Sequence, residues 1–245
     1  MATIAAGPGV IKLRLDMAGA DHGIANVNTT AMVGPFALTG AVAETDCGIV
    51  PISKAGGWAR LTGTDQNGRG AAIGTNVGFS PVLTGPLVFE TRLELQVQTA
   101  RHTWIGFASV KALDTAEPLT ATTATITPVA GSYVGFFQDS QLTTNTDEFW
   151  YMAYNGGSAT APTTPITGII GDAIVTAESQ ILRVEIDPNG TARWLIDGKV
   201  LQTIVGACST TTLLAAFVGT FGTTSTISDV DVNYIKFQGN RDWTP

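Results

Sequence analysis

Leu182-Arg183-Val184-Glu185-Ile186-Asp187-Pro188-Asn189-Gly190-Thr191-Ala192-Arg193-Trp194-Leu195-Ile196-Asp197-Gly198 is the stretch on which the fold turns. Leu182, Val184 and Ile186 alternate with Arg183, Glu185 and Asp187. That period of two gives a strand one apolar and one polar face. Asn189-Gly190 predicts the positive φ angles of a tight hairpin turn, and Thr191–Ile196 returns. On the return strand Ala192, Trp194 and Ile196 share one face, Arg193 and Leu195 the other, so Trp194 reads as a core or inter-sheet packing residue. Asp197-Gly198 turns the chain again into Lys199–Ile204.

The same alternation extends in both directions. From Leu87 to Val97 the residues Leu87, Phe89, Leu93, Leu95 and Val97 point one way, with Thr91 in the single non-aliphatic slot. Glu90, Arg92, Glu94 and Gln96 point the other way. Further strands are predicted at Trp58–Thr62, Trp104–Val110, Tyr133–Gln138, Phe149–Tyr154, Leu213–Thr220 and Asp229–Phe237. Short strands separated by turn signals predict an all-β, two-sheet antiparallel jelly-roll sandwich. Ile11, Leu13 and Leu15 alternate with Lys12, Arg14 and Asp16 as a half-buried strand. Residues 16–46, by contrast, are rich in Gly, Ala, Asn and Thr and lack Lys and Arg. The expected organisation is therefore an extended N-terminal arm with irregular loops over 1–46, the sandwich over 47–238 and a short tail over 239–245.

Charge narrows the functional classes. Charged residues make up 13% of the 245, about half the ~25% usual in soluble domains. The formal net charge is −7, which argues against a nucleic-acid partner. Lys and Arg are absent between Lys111 and Arg183, a gap holding Asp114, Glu117, Asp139, Asp147, Glu148, Asp172 and Glu178. The other 13 acids match the 13 bases, so residues 112–182 carry the whole net charge and read as acidic loops facing solvent. The longest apolar runs, such as Leu213–Val218, are far short of the ~20 residues a membrane helix needs. The N-terminus has no basic segment followed by a long apolar one, so a route without a signal peptide and without a membrane is expected. Cys47 and Cys208 form no metal or redox spacing and are expected to be buried free thiols.

A wider pattern carries a resemblance. Gly57-Trp58-Ala59-Arg60-Leu61-Thr62 is followed by Pro86-Leu87-Val88-Phe89-Glu90-Thr91-Arg92-Leu93-Glu94-Leu95 and Trp104-Ile105-Gly106-Phe107. Tyr133-Val134-Gly135-Phe136, Trp150-Tyr151-Met152-Ala153, the hairpin above and Asp231-Val232-Asn233-Tyr234-Ile235-Lys236 complete the order. This resembles the concanavalin A-like lectin/glucanase jelly roll, especially the versions in virion proteins of tailed bacteriophages. The resemblance implies a non-enzymatic structural protein, a capsid decoration or cement subunit on the outside of a phage head. The implied partners are the major capsid protein and further copies in a homo-oligomer, trimer or dimer. The implied location is the virion's capsid surface, after synthesis in the host cytoplasm. Ile11, Leu13 and Leu15 in the arm are the expected capsid contacts. The alternative is a glycan-binding module of a tail fibre or spike, using Trp150, Tyr151, Tyr154 and Asn155 beside Gly156-Gly157.

Candidate catalytic groups are sparse. A glucanase of this fold would use carboxylates at alternate positions of one strand, close enough for retaining chemistry at ~5 Å. Glu185-Ile186-Asp187 begins such a series, but Pro188, Asn189 and Gly190 turn the chain where a third acid should stand. Glu90 and Glu94 share a face with Arg92 between them, which reads as a cross-paired outer face. His22 and His102 sit in no nucleophile context and read as turn or surface residues. Gly68-Arg69-Gly70 lacks the Lys-Ser/Thr of a phosphate loop. For calcium, which lectins of this fold often carry, Asp139, Asp147 and Asp187 are the candidate ligands, but no Asp-dense loop is present. No catalytic residue, metal site or cofactor is assigned.

Overall fold

The structure is a computed structural model, and it describes residues 9–19, 30–40, 47–96, 99, 101–112, 116–142, 149–164, 174–223 and 227–241. Two antiparallel sheets face each other. The first runs β15 (Lys199–Ile204), β14 (Ala192–Ile196), β13 (Ser179–Ile186), β7 (Leu87–Glu94), β17 (Asp229–Asn240), β5 (Trp58–Thr62) and β4 (Gly48–Ile52). The second runs β12 (Tyr151–Asn155), β11 (Tyr133–Asp139), β8 (Arg101–Ala108), β16 (Ala215–Gly222), β6 (Gly70–Gly74), β3 (Phe36–Thr39) and β2 (Ala31–Val33). A separate hairpin, β9 (Leu119–Thr122) and β10 (Thr125–Pro128), lies apart from both sheets. The one helix among the described residues is the single turn α1 (Pro81–Thr84).

Alternation decides what fills the space between the sheets. Leu87, Phe89, Leu93, Leu182, Val184, Ile186 and Trp194 from the first sheet meet Ile105, Phe107, Val134, Phe136 and Val218 from the second in one core. Each such side chain contributes roughly 1.5–3 kcal/mol by leaving water. Trp194 ties the layers together, its indole N–H donating to the Gly135 carbonyl of β11 at 2.9 Å. Thr91 fills the polar slot of β7 without cost, because its hydroxyl donates to the Tyr234 carbonyl at 2.7 Å. Gly135 itself is needed for a close approach, since a Cβ there would lie 2.6 Å from the Trp104 ring.

The first hairpin turn differs from the sequence expectation, while Asp197-Gly198 turns the chain as expected. Gly190 has φ +79°, and Asn189 does not enter the left-handed region. The Gly190 N–H donates to the Asp187 carbonyl at 2.9 Å and the Asp187 N–H to the Thr191 carbonyl at 2.8 Å. Pro188 and Asn189 thus occupy a type I turn closed by a left-handed glycine, the three-residue solution. The two-residue turn with two positive φ values is at Asp197 (φ +48°) and Gly198 (φ +82°). There Ile196 and Lys199 are directly paired, and loop length has selected the turn type.

The extended arm expected over 1–46 is corrected in its described parts. Residues 10–16 form β1 (Val10–Asp16), paired along its length with β17 from Val10↔Asn240 to Asp16↔Tyr234. Phe36, Leu38 and Val33 are core residues of the second sheet. Residues 1–8, 20–29 and 41–46 lie outside the described residues. The physical reason is the length of β17, whose twelve residues outrun β5. Asp229–Val232 takes β5 as partner, and the remainder would expose an unpaired edge if β1 did not cover it. At the far end, Gly239 and Asn240 belong to β17 rather than to a tail.

Candidate functional site

Two places gather titratable side chains. The first is the outer face of the first sheet, where strand alternation aims Glu90, Arg183, Glu185, Arg193, Tyr234 and Lys236 away from the core. Arg183 bridges Glu90 at 3.1 Å and Glu185 at 2.6 Å. Arg193 holds Asp187 at 2.6 Å, and the Tyr234 hydroxyl donates to Glu90 at 3.0 Å. Arg60 grips Asp231 at 2.7 Å, while Glu94 contacts Lys54 and Gln96. Glu185, Asp231 and Glu94 are buried beneath their partly exposed basic partners, so removing one of those bases would leave a carboxylate without its counter-charge. The pairs also bear on chemistry. Glu185 and Asp187, the two acids a glycosidase would need, each have oxygens taken by a guanidinium. The cross-paired reading of Glu90 and Glu94 matches this geometry.

The second place is buried. On the outer face of the second sheet, Trp104, Tyr133, Phe137, Tyr151, Phe217 and Phe221 form a second apolar cluster. Leu119, Ala121 and Ile126 of the β9–β10 hairpin cover it. His102 lies among them, directly across from Asp139 in the β8–β11 ladder, and both are fully buried. Its Nδ1 donates to Glu117 Oε1 at 2.6 Å, just before the hairpin begins. Asp139 Oδ1 accepts from the Gln141 N–H at 2.8 Å. His102 Nε2 and Asp139 Oδ2 find no hydrogen-bond partner among the described residues. The surface or turn role expected for His102 is therefore corrected. It faces the same side as Trp104, and the cover comes from a segment that carries no periodic signal. Two acids of the supposed solvent-facing 112–182 stretch, Glu117 and Asp139, are likewise inside, whereas Glu178 is exposed.

Burial alone would lower the His102 imidazole. The hydrogen bond and charge of Glu117, with Asp139 behind them, outweigh it and the net shift is upward. Burial pushes the Asp139 carboxyl up to about 6, against the opposing pull of His102 and the Gln141 N–H. An acid whose folded value is raised keeps its proton where the unfolded chain has lost it. Its contribution is therefore full below about pH 4 and is lost as pH climbs toward about 6. Asp139→Asn is expected to remove this loss and to stabilise the protein at pH 7 by roughly 1–3 kcal/mol. Denaturant melts at pH 4, 5, 6 and 7 read it directly, and a variant with the unaltered pH slope would place the effect elsewhere.

The four residues expected to bind glycan do not converge. Trp150 is 1% exposed in the inter-sheet core, its Nε1–H donating to Gln180 Oε1 at 2.8 Å. Tyr151 is 1% exposed on the opposite side, packed against Phe137 under the hairpin. Tyr154 packs toward Trp194, ring centroids 6.1 Å apart, and Asn155 donates to the carbonyls of Ala130 and Gly131. Successive strand residues point to opposite faces, so sequence neighbours here cannot build one platform. Ile11, Leu13 and Leu15, the expected capsid contacts, pack against the sandwich core from β1.

Of the calcium candidates, Asp139 is buried, Asp187 is paired with Arg193 and Asp147 lies outside the described residues. Among the described residues no three His, Cys, Asp or Glu side chains are grouped to hold a metal. Cys47 and Cys208 are buried and form no disulfide, and burial pushes the Cys208 thiol up to about 12. His22 lies outside the described residues.

Two facing antiparallel sheets in this order make a concanavalin A-like jelly-roll sandwich, a fold found in both lectin domains and glucanases. A protein of unknown function from Shewanella oneidensis MR-1 superposes with TM-score 0.58 at 12% identity, over 99% of this chain and 92% of its own. A prokaryotic β-1,3-1,4-glucanase (lichenase) from a mouse hindgut metagenome gives 0.52 at 11%, over 92% and 98%. The metal-free carbohydrate recognition domain of Emp46p gives 0.52 at 10%, over 86% and 89%. At these identities the likeness is one of fold, and it includes enzymes. No family model and no curated protein matches the chain.

Proposed function

We propose that this chain is a non-catalytic structural subunit, a decoration or cement protein that binds the outside of a tailed-phage head and stabilises the shell. The observation that carries the non-catalytic part is the state of Glu185 and Asp187. Arg183 bridges Glu185 of β13 to Glu90, and Arg193 holds Asp187 just after the strand. In the depression of about 380 Å³ that Glu90 and Glu185 line, the two carboxylates are held by one guanidinium rather than left open as an acid and a nucleophile. The outer face of the second sheet, rich in aromatic rings, is covered by residues 116–128 and offers those rings to the protein itself. The virion part is supported by the resemblance of the Trp58–Phe237 pattern to phage virion proteins. With Trp150 and Tyr151 buried on opposite faces and Tyr154 half-buried against Trp194, the three aromatic candidates of the glycan-binding alternative do not form one platform.

The test is localisation by electron microscopy, with antibody against the recombinant chain applied to purified virions that carry its gene. Labelling spread over the head is expected. Labelling confined to the tail tip would move the protein to a fibre or spike, and absence of labelling would overturn the virion role. Turnover of a β-glucan by the purified chain would overturn the non-catalytic part on its own.

A further inference from the structure

The β9–β10 hairpin shares no ladder with either sheet, yet it covers the outer face of the second. Two of its backbone N–H groups reach outward, and both reach loops. Thr123 donates to the Gln141 carbonyl and Ile126 to the Thr163 carbonyl, each at 2.8 Å. Leu119, Ala121 and Ile126 supply the apolar contact. An ion pair ties the segment to a strand of the sheet, Glu117 with His102 of β8 at 2.6 Å, and Glu117 stands two residues before β9. Under this cover Trp104 Nε1, the Tyr133 hydroxyl, His102 Nε2 and Asp139 Oδ2 are fully buried and find no hydrogen-bond partner among the described residues. Each is a cost of the closed state that water would relieve.

We infer that the Glu117–His102 pair is a pH-operated latch, which keeps the hairpin closed over the aromatic face while His102 is charged and lets it lift when the proton leaves. The groups that face His102 are few. Asp139 lies directly across on β11, and the rings of Phe137 and Phe221 pack against the imidazole from β11 and β16. Arg101, its neighbour on β8, points to the other face and pairs with Asp229. From the loop before β6, Gly68 approaches Glu117 Oε2, and the adjoining Arg69 is exposed. The remaining titratable groups of the cluster, Tyr133 and Tyr151, are phenols. The imidazolium is thus the cation set between two buried carboxyl groups. Once it is neutral, Glu117 and Asp139 are like charges under one cover, and a buried carboxylate without its counter-charge is drawn to water. Glu117 is the one that can move, because it leads into the hairpin while Asp139 is fixed in the β11 ladder.

The direction follows from linkage. Burial opposes the charge on His102, but Glu117 and then Asp139 outweigh it, and the net shift is upward. The latch is therefore at full strength below the ordinary 6.5 of an open imidazole and weakens as pH rises through the folded value. Asp139, raised to about 6, titrates mostly below pH 7, so the interval from pH 7 to 9 reads His102.

The experiment is amide hydrogen exchange, read by mass spectrometry on the full chain at pH 7, 8 and 9, with each rate divided into its intrinsic value. Protection of residues 117–130 is expected to fall about tenfold across the interval, while that of β8 and β16 holds. Glu117→Gln keeps the shape and the acceptor but removes the charge, and should flatten the pH dependence. Ile126→Ala loosens the packing without touching the pair, so it should speed exchange at every pH and retain the slope. Hairpin protection indifferent to pH, hairpin and sheet amides that lose protection together, or a slope that survives Glu117→Gln would each overturn the latch. The wild-type comparison decides by itself should Glu117→Gln fail to fold. Head labelling decides the virion role separately.

Discussion

Deleting residues 2–40 is expected to unfold the sandwich. The cut removes β1, β2 and β3 together. β17 loses the partner of its second half, from Tyr234 to Asn240, and β6 loses the neighbour that pairs Leu38 with Ile73. It also takes Met17, Val33, Phe36 and Leu38 out of the core. At roughly 1.5–3 kcal/mol for each buried side chain, the loss rivals the whole stability of about 5–15 kcal/mol that a domain has to spare. Far-UV circular dichroism through a thermal ramp is the measurement. A truncated chain that still melts cooperatively would show that these strands are dispensable. If the expectation holds, loss of capsid attachment by that truncation says nothing about an arm. Deletion of residues 2–8 alone is the cut that tests attachment without removing a described strand.

Trp150→Ala is expected to cost about 3–5 kcal/mol, the usual loss for a fully buried large aromatic side chain. For a chain of this length that lowers the melting temperature by roughly 10 °C. Two terms add. The indole leaves a cavity between the sheets, and Gln180 Oε1 on β13 loses the donor that satisfies it. Trp150→Phe separates them, restoring most of the volume but not the hydrogen bond, and should fall between wild type and Ala. Differential scanning calorimetry of the three proteins distinguishes this from a surface platform. A residue that stacked on sugar would change stability by only a few tenths of a kcal/mol on truncation. A melting temperature unmoved by Trp150→Ala would restore the glycan reading.

Both expected results turn on pairings that no stretch of residues displays. The alternation Ile11, Leu13, Leu15 shows a half-buried strand as clearly as Leu182, Val184, Ile186 does. Yet the register Leu13↔Phe237 joins opposite ends of the chain, and nothing local to residues 10–16 tells a strand of the sheet from an arm lying on a neighbour. Trp150 and Tyr151 are adjacent aromatic residues, which in sequence suggests a shared surface. Strand geometry sends one into the core and the other under the hairpin.

The all-β class and the strands with clear alternation were legible in the sequence, whereas β2, β3, β4, β6, β9 and β10 were not. Period-two patterning, Gly-containing turns and the scarcity of helical signals are local properties, and local sterics translate them directly into strands and hairpins. The placement of Trp194 inside followed from the same alternation. The absence of a third acid after Asp187 was also legible, because Pro188 stands in the chain itself. Tertiary structure alone decided what lies on the far side of each strand. Glu117 reaches His102 across fifteen residues, and Arg183 collects Glu90 from another strand. These are consequences of sheet order and of which loop covers which face. That order is set by the summed burial of all the strands at once, so no single segment carries it.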